Sequence, residues 1–283
     1  MKLSCLPVSY FGEIISGRMS IEQWASQASD LGLDAIDLSV VLLKSRDRAY
    51  LKSMRESIEA AGMRVAVMNT YPDFTHPDPA VRKEEQSQLR DDITAASLLG
   101  AQMIRVTAGQ AHPQTRRQDG VAWAIDGLVS STAAADRCGV KLLYENHSKP
   151  GVWDYPDFSL PSDIFLEIAE AVRGTSISVL FDTANPLVYG DDPLPLLEQV
   201  FEQVECIHAA DTGVKGKLEP VAIGTGVVPF NDIFAMLIRS GYDGWISIEE
   251  ASGLGALGVA GAVTFVRNAW AEATMAVHRK GCK

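Results

Sequence analysis

The 283-residue sequence has no run of lysine or arginine, no closely spaced pair of cysteines, and no apolar stretch near the roughly 20 residues that span a bilayer. Without a basic run, and with a formal net charge of -11, the chain has little to neutralise phosphates. Neither nucleic acid nor a membrane surface is therefore an expected partner. The four cysteines, Cys5, Cys138, Cys206 and Cys282, are scattered and form no CxxC pair. That pattern argues for a reducing, cytoplasmic setting over a disulfide framework. Cys138 and Cys206 sit in apolar contexts and read as core residues. The N-terminus MKLSCLPVSYFGEI lacks the apolar centre of a signal peptide. No GxGxxG follows a strand, and no lysine follows the glycines of GTGVVPF (224–230), so NAD and ATP are not expected. That segment reads as a tight turn beside a pocket. A GxSxG nucleophile elbow is missing too.

What is present is a regular alternation of strand and helix signals, with enough apolar residues (47%) for one large core. Strands are expected at Leu3–Cys5, Ala35–Leu38, Arg64–Asn69, Met103–Val106, Lys141–Glu145, Ser178–Asp182, Val204–His208 and Trp245–Glu249. Between them lie helical stretches. Ser20 and Gln23 cap a helix over Ile21–Leu31, and Gly62, Gly100 and Gly139 end others. Phe11–Gly17 reads as a turn, and the alanine-rich stretch near Gly255–Ala276 as an amphipathic helix. Eight strand–helix units over this length predict an α/β fold, a (β/α)8 TIM barrel, with residues 1–283 as a single domain. A doubly wound sheet competes, but the count of eight favours the barrel.

Four consecutive strands stop on a residue able to bind metal. KLLYE ends at Glu145, SVLFD at Asp182, VECIH at His208 and WISIE at Glu249. One acid at one strand end is commonly a helix cap or a solvated loop group. Four in succession are the pattern of a metal held at the carboxyl end of a barrel. Glu145 and Glu249 make poor caps, which favours that reading. Glu250 competes with Glu249, which is preferred because it closes the strand. Such an oxygen-rich set calls for one divalent ion; Mn²⁺ is expected, with Mg²⁺, Co²⁺ or Zn²⁺ as alternatives.

Further candidates surround this set. His147 lies two residues past Glu145, so strand alternation aims both at one pocket, where His147 would act as general acid or base. The bland alternative is a loop histidine bonded to backbone. The loop PGVWDYPDFSLP (150–161) carries Trp153, Tyr155 and Phe158. It reads either as a lid with aromatic faces for a sugar or as a surface loop anchored by those rings. His76, Arg105 and His112 stand on top-face segments, as substrate contacts or as packing residues. His278 reads as solvated.

The segments NTYPDFTHPDP (69–79), LGAQMIRVTAGQ (99–110), YENHS (144–148), FDTAN (181–185), HAAD (208–211), GTGVVPF (224–230) and SIEEASG (247–253) resemble the xylose isomerase-like superfamily, in its sugar phosphate isomerase/epimerase branch. The resemblance implies a barrel with one divalent metal held by Glu145, Asp182, His208 and Glu249. It further implies that the two glutamates act as acid and base on opposite faces of a sugar. The physics agrees: removing a proton beside a carbonyl leaves an enediolate, which a chelating metal stabilises while a carboxylate takes the proton. Two positions depart from the ketohexose 3-epimerases of that family. Asn185 replaces a histidine three residues after the aspartate ligand, and Lys215 and Lys217 stand where an arginine follows the histidine ligand. The expected substrate is therefore another sugar, polyol or inositol derivative, contacted by His76, Arg105, Trp153, Asn185 and Lys215. Family members commonly form dimers or tetramers, which makes a homo-oligomer an expectation, while the sequence itself leaves that open.

The function expected is thus metal-dependent sugar isomerisation or epimerisation. The alternative is a lyase or dehydratase acting on a keto-sugar, inosose or 3-keto-glycoside with His147 as acid/base. A DNA-repair nuclease of the same fold is disfavoured by the acidic charge and by only five histidines, too few for a three-zinc cluster. A non-catalytic sugar-binding subunit would bind a polyol without metal-dependent turnover.

Overall fold

Strands buried on both faces need covering on both, and a parallel barrel wrapped in helices supplies it. Val65–Asn69 and Met103–Val106 are buried at every residue. The structure is a computed structural model and describes residues 1–281. Its strands are β1 (Lys2–Leu6), β2 (Ile36–Ser39), β3 (Val65–Asn69), β4 (Met103–Val106), β5 (Lys141–Glu145), β6 (Ile177–Asp182), β7 (Val204–Ala209) and β8 (Trp245–Glu249). They form one eight-stranded sheet in the order β1-β8-β7-β6-β5-β4-β3-β2, every pairing parallel. Between β1 and β2 the ladder is replaced by a clasp. Asp34 N donates to Leu3 O, and Leu3 N donates to Asp34 Oδ2, each at 2.9 Å. The result is a nearly closed TIM barrel.

Most elements lie within a residue or two of the sequence expectation; the last helix, Ala256–Gly281, runs five residues past it. Ser20 and Gln23 cap Ile21–Asp30 reciprocally, as their spacing predicted. Two details differ. The stretch read as a turn contains a short helix, Phe11–Ile15, and a second short helix, Asn185–Tyr189, follows β6. The latter carries Pro186 in its first turn, where the fixed φ suits a helix, and stops at Gly190, whose φ of 109° ends it. Cys5 and Cys206 are buried, Cys138 is half-buried, and Cys282 lies outside the described residues. Among the described residues no helix is long and apolar enough to cross a membrane.

The barrel interior is layered, because side chains two residues apart on a strand share a face. The lower layer is apolar and contains Ala35, Val67, Met103, Leu143, Leu180, Cys206 and Trp245. Two residues further along each of those strands stands a polar group: Asp37, Asn69, Arg105, Glu145, Asp182, His208 and Ser247. The apolar layer plugs the bottom, and the polar layer becomes the floor of the top face. Asp37 ties this layer across the β1–β2 clasp. Its Oδ2 accepts from Ser4 Oγ at 2.7 Å and Ser247 Oγ at 2.5 Å, and its Oδ1 accepts from Val67 N at 2.9 Å. Burial pushes the Asp37 carboxyl up, and these donors oppose the shift.

Asp37→Ala leaves three buried donors without an acceptor. It is expected to destabilise the fold by about 3 kcal/mol. That loss corresponds to a fall in Tm on the order of 10 °C. Ser4→Ala, which removes one donor, should cost roughly 1 kcal/mol. Thermal unfolding of both variants checks the ranking, and an unchanged Asp37→Ala melting curve would refute the clasp.

Candidate metal centre

Strand register assembles the four strand-end residues. Asp182 and His208 are direct partners across β6 and β7. Glu145 pairs with Leu180, two residues below Asp182. Glu249 lies two residues above Ser247, the partner of His208. The stagger of a tilted barrel turns these offsets into convergence. One ligand atom from each of Glu145, Asp182, His208 and Glu249 lies within 4.8 Å of the others. Glu250 points elsewhere: its Oε1 accepts from Ser252 N and Ser252 Oγ. The choice between the adjacent glutamates is therefore made by the pleat.

The electrostatics of the cluster follow from crowding three carboxylates around one imidazole. His208 Nδ1 lies 2.9 Å from Glu145 Oε1 and 3.0 Å from Glu249 Oε2. Burial alone would lower the imidazole, but the two carboxylates outweigh it and raise it from 6.5 to about 10. Burial would raise Glu145, but Arg105 and His208 hold it down, from 4.5 to about 2. Glu249 is likewise lowered against its burial, by the hydrogen bond from His208. Asp182 goes the other way: burial and the charges of Glu249 and Glu145 push it well up.

Two buried atoms here have no hydrogen-bond partner, Glu145 Oε2 and His208 Nε2. Arg105 Nε is 3.0 Å from Glu145 Oε2, but its one N–H donates to Asn69 Oδ1. An excess of buried anionic donors, one carboxylate oxygen unsatisfied, and an aspartate forced toward its neutral form all fit a hard divalent cation.

A cavity of about 350 Å³ opens above the centre. Arg105, Asp182, Glu249, His147 and Asn185 reach its lining, while Glu145 and His208 lie fully buried. Arg105 is occupied as well as present. Its Nη1 donates to Thr70 O at 2.8 Å, and its guanidinium packs 4.6 Å from the Tyr71 ring centre. His147 is buried, with Nδ1 3.4 Å from Asp157 Oδ2 and its ring edge-on to Trp153 at 5.8 Å. Trp153 thus backs His147 rather than lining the cavity. In the 150–161 loop Trp153 and Phe158 turn inward, and the segment Pro150–Val152 faces the cavity instead. Lys215 is exposed and away from the lining. His76 is also off the lining; its Nδ1 accepts from Asp78 N, and its ring meets His112 edge-on at 4.7 Å.

A repeat that the sequence reading passed over organises two of these loops. YPDF occurs at 71–74 and again at 155–158. Phe74 seats on Gly127 and Phe158 on Gly120, both in the helix Arg117–Cys138. A Cβ at either glycine would lie 2.4 Å or 2.3 Å from ring carbons, so only glycine fits. Each repeat's aspartate faces a histidine: Asp73 Oδ2 is 2.7 Å from His112 Nε2, and Asp157 faces His147. The repeated tetrapeptide and two glycines a double turn apart in one helix were the available signal. The GTGVVPF turn is held by Asp211, whose carboxylate accepts from the backbone N–H of Gly224 and Gly226 at 2.9 Å and of Val228 at 3.2 Å.

Comparison with known proteins places this geometry. The chain is 27% identical over 232 residues to an L-ribulose-5-phosphate 3-epimerase of Salmonella paratyphi C, covering 78% of this chain and 79% of the relative. It is 26% identical over 140 residues to an inosose dehydratase of Lacticaseibacillus casei, 44% of each. A solved D-tagatose 3-epimerase-like protein superposes with a TM-score of 0.78 at 18% identity, covering 99% of both chains, which establishes the shared fold. The profile of the xylose isomerase-like TIM barrel family matches residues 25–275, and the chain belongs to that family.

Proposed function

We propose that the chain is a divalent-metal-dependent isomerase or epimerase of a sugar or sugar derivative, working by proton abstraction beside a carbonyl. The observation that carries this reading is the convergence of Glu145, Asp182, His208 and Glu249 beneath a cavity that Glu249 itself reaches. The L-ribulose-5-phosphate 3-epimerase among the relatives supports it. Glu145, Asp182, His208 and Glu249 would hold the ion, with Mn²⁺ the first choice for this donor set. When bound, the cation supplies Lewis-acid stabilisation of negative charge developing on a substrate oxygen.

The chain's own residues divide the remaining work. Glu249, with its side chain 24% exposed, is placed to take a proton from a substrate carbon in the cavity. Glu145 would serve the opposite face, its ionised form maintained by Arg105. Tyr71 and Arg105 form a fixed wall, and Asn185 presents an amide to substrate hydroxyls. Positioned carboxylates of this kind contribute on the order of 10²–10⁴-fold.

A second reading, a lyase or dehydratase on a keto-sugar, inosose or 3-keto-glycoside, is favoured by one observation: His147 on the cavity wall, with buried Asp157 behind its Nδ1. There a carboxylate would remove the carbon-bound proton while His147 protonates the departing oxygen, giving an enone and water or an alcohol. The inosose dehydratase among the relatives supports it.

Incubation with a panel of keto-sugars followed by mass spectrometry separates the two readings. Isomerisation conserves the substrate's mass, and elimination lowers it. Glu249→Gln and Glu145→Gln should each cut kcat/KM by about 10²–10⁴-fold with circular dichroism unchanged. Chelation should abolish turnover and Mn²⁺ should restore it; turnover that survives exhaustive chelation would sink the proposal. Metal binding must also expel protons. His208, held up to about 10, keeps its proton at neutral pH, and Asp182 is raised too. Mn²⁺ affinity is therefore expected to rise between pH 6 and 9, with proton release read by calorimetry in buffers of different ionisation enthalpy. Affinity independent of pH over that range would contradict this assignment of charges.

A further inference from the structure

The floor and the wall of the cavity differ in chemistry. The floor is charged, whereas the wall above it is built from Phe11, Val41, Val152, Val188, Leu218 and Val221. Val152 is 63% exposed and Leu218 45% exposed, so apolar surface faces water at the mouth. Asn185, Ser148 and His147 offer polar atoms to the cavity, but several other polar groups nearby are already engaged. Arg105 donates to Asn69 and Thr70. Asp211 is saturated by backbone N–H groups of the 224–228 turn. Thr212 Oγ1 donates to Lys217 O, and Lys149 Nζ donates to Asp154 O at 3.1 Å.

This wall suits neither a bare polyol nor a phosphorylated sugar. A free sugar carries a hydroxyl on nearly every carbon, and those facing the wall would lose water and gain no partner. A phosphate would meet Asp182, Asp211 and Glu249 in the lining, with only the already bonded Lys149 and Arg105 as cations. The volume, about 350 Å³, falls among pockets that enclose drug-sized ligands.

We propose that the substrate is an uncharged sugar conjugate whose sugar head sits on the carboxylate floor and whose apolar aglycone, an aryl or alkyl group, lies along this wall. The inference rests on the reading of the floor as a sugar site and adds what the sugar carries. The aglycone occupies surface continuous with the carboxylate centre, and it covers the apolar groups at the mouth that water now meets.

The test is calorimetric binding of paired methyl and phenyl β-glycosides, as glucosides and galactosides, to wild-type protein with and without Mn²⁺. The phenyl member is expected to bind at least about tenfold more tightly than its methyl partner, a difference of roughly 1.4 kcal/mol. Val152→Ser and Leu218→Ser, changes at exposed positions that leave the core intact, should collapse that ratio toward unity. Equal binding of the two members, failure of all four glycosides to bind, or a ratio untouched by both substitutions would overturn the proposal. Mn²⁺ titration without sugar keeps the two readings apart. A protein that binds no metal but prefers phenyl glycosides would refute the centre alone, and one that binds metal without the preference would refute the aglycone alone.

Discussion

Three carboxylates share the buried top of the barrel with a single imidazole, and the repulsion among them shapes everything nearby. His208 bridges Glu145 and Glu249 through one nitrogen, and it is held protonated because two anions surround it. Arg105, wholly buried, offsets a further part of the charge while its donors remain committed to Asn69 and Thr70. Asp182 is driven toward its neutral form by burial and by the charges of Glu249 and Glu145, which outweigh His208. With Glu145 and His208 fully buried, these interactions are weakly screened, so the cluster is under electrostatic tension that a cation would relieve.

That tension is tolerable only in a rigid frame. Below it the apolar layer from Ala35 to Trp245 excludes water, and Asp37 stitches the seam where β1 and β2 fail to pair. Above it the loops are pinned individually. The two YPDF segments drop their phenylalanines onto glycines of one helix, and Asp211 gathers the amides of the turn that follows β7. Phe158 anchors the loop that follows His147, and Asp182 Oδ1 holds Asn185 by accepting from its backbone N–H.

The chain belongs to the xylose isomerase-like TIM barrel family and is similar to relatives named as an epimerase and as a dehydratase. In this chain the loops bring methyl and phenyl groups to the wall and one histidine backed by an aspartate. Floor and wall come from different parts of the fold: the strand ends supply the carboxylates and imidazole, and the connections after β1, β2, β5, β6 and β7 supply the apolar wall.

Local periodicity made the strand ends legible. Apolar runs that break on Glu145, Asp182, His208 and Glu249 announce both the barrel and its charged floor, because alternation along a strand is a property of neighbouring residues. Helix caps such as Ser20 with Gln23 were readable for the same reason. What tertiary structure decided is everything that depends on contact across the chain. The pleat and register chose Glu249 over Glu250, and Trp153 and Phe158 turned inward, Phe158 seated on Gly120, instead of toward a sugar. Asp157 was found behind His147, and Lys215 was left in solvent. Those outcomes follow from packing between segments tens of residues apart, which strand and helix periods do not encode.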